Sequence, residues 1–122
     1  MGDRLASAAA AGDTAGVEEL LRGGAPVDGL NRFGRTPLQV MMMGSTRVAR
    51  LLLEAGARPN VADGGTGTTP LHDAARGGFL DTVQTLVRFS ADPGARDHWG
   101  HRPADLARDV GYLDVATFLD SL

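Results

Sequence analysis

The sequence has 122 residues, 43% of them hydrophobic, which suits one domain with a continuous core, and no second domain is expected. A net charge of -3 with scattered cations offers no footprint for a nucleic-acid backbone, and no stretch approaches the roughly 18 apolar residues of a membrane span. Without cysteine there is no disulfide framework, thiolate nucleophile or thiolate zinc site, and with no basic, long apolar start the expected setting is cytoplasmic and nuclear.

Along the chain a single pattern returns. Asp3 is expected to cap a first helix through the Ala8-Ala9 run, which closes at Gly12, and a second helix carrying Leu20-Leu21 ends at Gly24-Ala25. Thr36-Pro37-Leu38-Gln39 then opens a helix that closes at Gly44, followed by Leu51-Leu52-Leu53 and Gly56-Ala57. Thr69-Pro70-Leu71-His72 opens the next, with Gly78 as its left-handed stop and Leu80 to Arg88 as its antiparallel partner. The start recurs in degraded form as Arg102-Pro103-Ala104-Asp105, and Asp3, Thr36, Thr69 and Arg102 are each 33 residues apart. Thr suits the cap and the following Pro suits the first helical position.

A period of 33 with T-P-L-H starts and G-A ends resembles ankyrin repeats over essentially the whole chain. The fold expected is all-α: an ankyrin-repeat solenoid of four stacked helix-turn-helix repeats within one domain, 1–122, at about 1–30, 31–63, 64–96 and 97–122. Segments Asn31 to Arg35, Asp63 to Thr68 and Asp97 to His101 should project as hairpin-like loops. One residue is missing between Thr36 and Gly44, which predicts a shortened first helix in the second repeat. The residue returns in the next loop, where Gly64-Gly65-Thr66-Gly67 reads as a flexible spacer.

The short first helices should line the recognition surface, with Ser7, Val40, Asp73 and Leu106 at equivalent positions. Asp73 and Arg76 are neighbours on one helix and either pair with each other or reach outward together. Of the run Val40 to Met43 some members must be core. Phe33 and Trp99 occupy matching loop slots; Trp99 is read as a brace between loops, and Phe33 is open between bracing and partner contact.

Nothing points to catalysis. A metal would need His72, His98 and His101 together with a carboxylate, Glu18 and Glu19 point apart on a helix, and Gly64 to Gly67 lacks the Lys-Ser/Thr of a phosphate loop. No enzyme activity, metal or cofactor is expected.

Several strings narrow the resemblance: Asn31-Arg32-Phe33-Gly34-Arg35, Gln39-Val40-Met41-Met42-Met43-Gly44-Ser45, His72-Asp73-Ala74-Ala75-Arg76 and Gly78-Phe79-Leu80-Asp81-Thr82. They are similar to the ankyrin-repeat inhibitors of cyclin-dependent kinases 4 and 6, of the shorter, four-repeat tumour-suppressor type. That resemblance implies binding to either kinase beside its cleft, which twists the two lobes, opposes cyclin D binding and activity, and arrests the cell cycle in G1; nothing in the sequence indicates oligomerisation, so a monomer is expected when free. It also implies that Asp73 pairs with a basic residue of the kinase and that Arg76 supports it. Asp63, Gln39, Met42, Phe79 and Asp81 match positions at or near the interface, with a core role as the alternative for Met42 and Phe79. His72 takes the slot in which ankyrin histidines make structural hydrogen bonds. The chain departs from the family in its Gly-Gly-Thr-Gly loop and in Asp13-Thr14-Ala15-Gly16, which replaces an acidic pair. The competing reading is an ankyrin-repeat interaction scaffold for a different protein partner.

Overall fold

Helices this short persist only when their ends are capped and one face is packed, and both conditions are written into the sequence. The computed structural model describes residues 3–122; the first two residues of the first repeat lie outside it. Eight helices and no strand occur among the described residues, and none of the helices is long and apolar enough to cross a membrane.

They fall into two compact units divided between Arg58 and Pro59. The first holds α1 (Asp3–Ala10), α2 (Thr14–Arg22), α3 (Pro37–Val40) and α4 (Thr46–Glu54). Here α1 packs on α2 and α3, α2 on α4, and Val17, Leu38, Val48 and Leu52 are wholly buried between them. The second holds α5 (Pro70–Arg76), α6 (Leu80–Arg88), α7 (Pro103–Val110) and α8 (Leu113–Asp120). In it α5 packs on α6 and α7, α7 on α8, and α6 on α8, around Leu71, Val83, Leu86 and Val115.

The expected caps form at Thr36 and Thr69, each followed by Pro in the first turn. Thr36 Oγ1 accepts the Gln39 N–H at 3.2 Å, and Gln39 Oε1 accepts the Thr36 N–H at 2.7 Å. In α5 the third residue is His72, whose Nδ1 accepts the Thr69 N–H at 3.1 Å. Repeat four keeps the reciprocal half alone: Asp105 Oδ2 accepts the Arg102 N–H at 2.9 Å. Asp3 departs from expectation. It lies inside α1 and its carboxylate accepts the Arg32 N–H of the following loop at 2.9 Å, so it ties helix to loop.

The shortened helix is present. α3 has four residues where α5 has seven and α1 and α7 have eight. The backbone turns extended at Met41 (φ -57°, ψ 156°), and the Met42 N–H donates to the Ala9 carbonyl at 2.9 Å. The displaced residue reappears in the next loop, as expected. In the loops of Asn31 and Asp97 the first residue's N–H donates to the carbonyl four positions on, whereas Asp63 N–H donates to Thr68, five positions on. That loop is nevertheless no loose spacer. Asp63 Oδ1 accepts the Gly65 and Thr66 N–H groups at 2.8 and 3.2 Å, the Gly67 N–H donates to the Asp63 carbonyl, and the Thr66 and Thr68 hydroxyls meet at 2.8 Å. Gly67 is required there, because its φ is +74° and a Cβ would collide with the His98 ring and lie 2.9 Å from the His98 nitrogen.

The ends of α2 and α4 pass through Gly24 (φ 91°) and Gly56 (φ 96°), but α6 ends through Ser90 at φ 75°, the one described non-glycine residue in this region. An L side chain pays a steric penalty there that glycine does not. Ser90→Gly keeps the bond from Asn60 Nδ2 to the Ser90 carbonyl and should raise stability by about 0.5–1 kcal/mol, read as a higher Tm. A second prediction concerns Asp105, whose carboxyl is held down at about 2 by the Arg102 hydrogen bonds, with Arg108 also attracting it. Its stabilisation is present above the ordinary carboxylate pKa and is lost as pH falls through that lower value. Asp105→Ala should therefore cost about 1 kcal/mol at pH 7, and urea melts of the two proteins should converge near pH 2.

Candidate partner-binding site

In α5 the residues on either side of Asp73 face inward: Leu71, His72, Ala74 and Ala75 are all buried. Helical spacing then leaves Asp73 and Arg76 together on the opposite face. Arg76 Nη2 donates to Asp73 Oδ1 at 2.9 Å, with 29% of the Asp73 side chain and 55% of the Arg76 side chain exposed. Both alternatives for this pair are thus compatible: the residues bond to each other on a face that is open to solvent.

The carboxyl of Asp73 is raised above the usual carboxylate range. Burial is the main cause; Arg76 and then His72 act against it, and the charge of Asp63 adds to it. A raised carboxyl that keeps an arginine neighbour has a charge less compensated than it would be in water. The position favours a further cation.

Asp63 contributes its field to Asp73 while its Oδ1 closes the loop, so it is half-buried and occupied in the fold. Phe79 stands at the start of α6, 41% exposed, with its ring over Gly77, the last turn of α5. Asp81 is exposed in the first turn of α6, where a carboxylate suits the helix dipole. In this unit Asp63, Asp73 and Arg76 form one electrostatic group, while Phe79 and Asp81 lie on the neighbouring helix start.

The first unit holds the other two candidates. Gln39 is half-buried and its side-chain oxygen completes the cap of α3. Met42 is 49% exposed, yet its thioether lies across Gly12, where a Cβ would stand 2.8 Å from Sδ. Met41 supplies the core member of the run, at 4% exposure.

The loops show a device that sequence reasoning did not use. Asn31 Oδ1 accepts the Phe33 and Arg35 N–H groups, and Asp97 Oδ1 accepts those of Trp99 and His101, which fixes each loop around its first side chain. The recurrence of Asn31, Asp63 and Asp97 at the loop starts was the available signal. Two loops carry an aromatic two residues on; the third has Gly65. Trp99 does not brace: its ring is tilted against His98 at 6.4 Å and the residue is 67% exposed. Phe33, at 71% exposed, has the Arg32 guanidinium 6.0 Å from its ring centroid, beside a shallow hollow lined by Ala6, Ser7, Ala10 and Val40.

The histidines are dispersed in role. His72 is wholly buried, and its Nε2–H donates to the His101 carbonyl at 2.8 Å, which fixes the tautomer because Nδ1 accepts from Thr69. His98 is exposed, with its N–H donated to the Thr66 carbonyl at 2.9 Å. His101 is half-buried, its Nδ1 3.6 Å from the buried Asp97 carboxylate.

Comparison with known proteins agrees with the repeat architecture. The family described as Ankyrin repeats (3 copies) matches residues 5–97 and 44–119. Cyclin-dependent kinase 4 inhibitor B of Homo sapiens is 57% identical over 115 residues, spanning 94% of this chain and 83% of that protein. The protein of the same name from Bos taurus is 56% identical over 115 residues, covering 94% and 88%. Cyclin-dependent kinase inhibitor 2A of Homo sapiens is 55% identical over 117 residues, covering 96% and 75%. With identity above one half along nearly the whole chain, and with helical hairpins at the expected period, this chain belongs to the ankyrin-repeat family of cyclin-dependent kinase inhibitors.

Proposed function

We propose that the chain inhibits cyclin-dependent kinases 4 and 6 by binding beside the kinase cleft, opposing cyclin D binding and activity, and so holding the cell cycle in G1. The observation that carries this reading is the Asp73 carboxyl, raised by burial, presented on an open face of α5 with Arg76 as its neighbour. A carboxylate in that state gains more from a basic side chain on a partner than one already surrounded by water and counter-charge. Relatives that share more than half of this sequence and are named as kinase inhibitors supply the partner class.

In this reading Asp73 takes the partner's cation and Arg76 keeps the carboxylate oriented. Asp63 acts through its field and by holding its loop. Phe79 and Asp81 at the start of α6 are assigned to contacts around the charged centre, and Met42 and Gln39 to partner contacts made by the first unit. Inhibition then requires tighter binding to the inactive kinase conformation than to the active one, since equal affinity shifts no population. The reading treats residues 1–122 as one binding domain, monomeric when free, acting in the cytoplasm and nucleus, with no catalytic role of its own.

The test is an affinity titration against purified cyclin-dependent kinase 6 without cyclin. Asp73→Ala, confirmed as folded, should weaken binding by about 2–5 kcal/mol. Unbound kinase at every concentration of the wild-type chain, for this kinase and for cyclin-dependent kinase 4 alike, would sink the reading and leave a scaffold for another protein.

A pH dependence follows from the same group. Free Asp73 holds its proton to higher pH than an ordinary carboxyl, whereas a partner cation favours the ionised form, so binding expels a proton. Affinity should rise with pH through the free-state pKa, above 3.8, and then level off; Asp73→Asn should remove that slope.

A further inference from the structure

We propose that Met42 is a peroxide-sensitive modification site whose sulfoxide loosens the packing of the first repeat on the second. The sequence has no cysteine, so the oxidisable sulfur of this chain is methionine, and three of its four methionines are consecutive at Met41 to Met43. Their surroundings differ sharply. Met41 is buried at 4% exposure and Met43 is half-buried, whereas Met42 is exposed at 49%. Peroxide therefore meets the Met42 sulfur first.

The exposure arises from the one-turn helix. Because α3 stops at Val40 and the backbone turns extended at Met41, Met42 lies beyond the helix, with its N–H bonded to the Ala9 carbonyl at 2.9 Å. Its thioether crosses the turn between α1 and α2 at Gly12, where the absence of a Cβ leaves the space: a Cβ there would be 2.8 Å from Sδ and 3.4 Å from Cε. Gly12 is also at φ +68°, so the turn is shaped for the residue that the sulfur covers.

Oxidation transfers one oxygen atom from a peroxide to Sδ. The S–O bond forms as the O–O bond breaks, the sulfur gives up two electrons, and the peroxide leaves as water or an alcohol. The product carries a strong acceptor oxygen at a contact that was apolar. No backbone donor of the turn is free to receive it: Ala11, Gly12, Asp13 and Thr14 N–H groups are bonded to the Ser7, Ala9, Ala8 and Gly12 carbonyls, and the Met42 N–H is bonded to Ala9. The oxygen is left to water, and its hydration competes with the packing of the side chain over Gly12. The Met42–Ala9 hydrogen bond then loses its cover.

The experiment is graded hydrogen peroxide treatment of the whole chain, peptide mapping of the added oxygen, and amide hydrogen exchange on the protein oxidised at Met42. Oxygen should appear on Met42 before Met41 and Met43, and the Met42 amide should exchange roughly tenfold faster, returning to its original rate after methionine sulfoxide reductase treatment. Met42→Leu, which keeps an apolar side chain over Gly12, should show slow exchange unaffected by the same dose. Equal or earlier oxidation of Met41 or Met43, unchanged Met42 exchange in the sulfoxide, or peroxide-accelerated exchange in Met42→Leu would each overturn the proposal.

Discussion

Helices of four to nine residues have about as many end groups as middle ones, or more, and every end group is a backbone donor or acceptor that the helix itself cannot satisfy. The structure depends on solving that problem repeatedly with little sequence. Thr-Pro at a helix start supplies an acceptor and removes one donor; the third helical residue, Gln39, His72 or Asp105, reaches back for another. His72 goes further, since the ring that closes the cap of α5 also donates to the His101 carbonyl in the next loop. One buried side chain therefore serves a helix end and a repeat junction together. Isolated helices of this length are marginal, so such junctions decide whether they exist at all.

This explains what was legible in the sequence. The 33-residue recurrence, the Thr and Pro starts, the turn glycine Gly78 and the bounds of α6 are local features with fixed backbone demands, and they appear where the pattern puts them. The short second-repeat helix was readable because a deletion of one residue cannot be hidden in a turn of fixed length. Misreadings arose where a side chain acts at a distance. Asp3 has cap chemistry, yet Arg32, distant in sequence, takes its carboxylate. Gly64 to Gly67 has the composition of a loose linker, yet the preceding aspartate gathers its N–H groups and Thr66 accepts from His98. The tip position of Trp99 depends on Asp97 turning the loop beneath it, which the aromatic alone does not announce.

The candidate site was partly legible for the same reason. Asp73 and Arg76 share a helix face by spacing alone, and the structure pairs them. Gln39 and Met42, by contrast, are engaged in a cap and in a repeat contact, which no motif comparison distinguishes from a free recognition side chain. The direction of the Asp73 shift could not be read in advance, because burial outweighs the opposing pull of Arg76 and His72, with the charge of Asp63 adding to it.

Asp63 carries a consequence for how variants of this chain are interpreted. Its carboxylate folds the loop that receives the His98 N–H, and the same charge bears on Asp73. A missense change at that residue would alter loop geometry and local potential at once, so a lost phenotype there does not identify a contact with a partner. Isosteric replacement by Asn, which retains an acceptor oxygen and discards the charge, separates shape from field. In a mutational scan Asp63 is thus a position where the chemical nature of the replacement, more than the fact of replacement, holds the information.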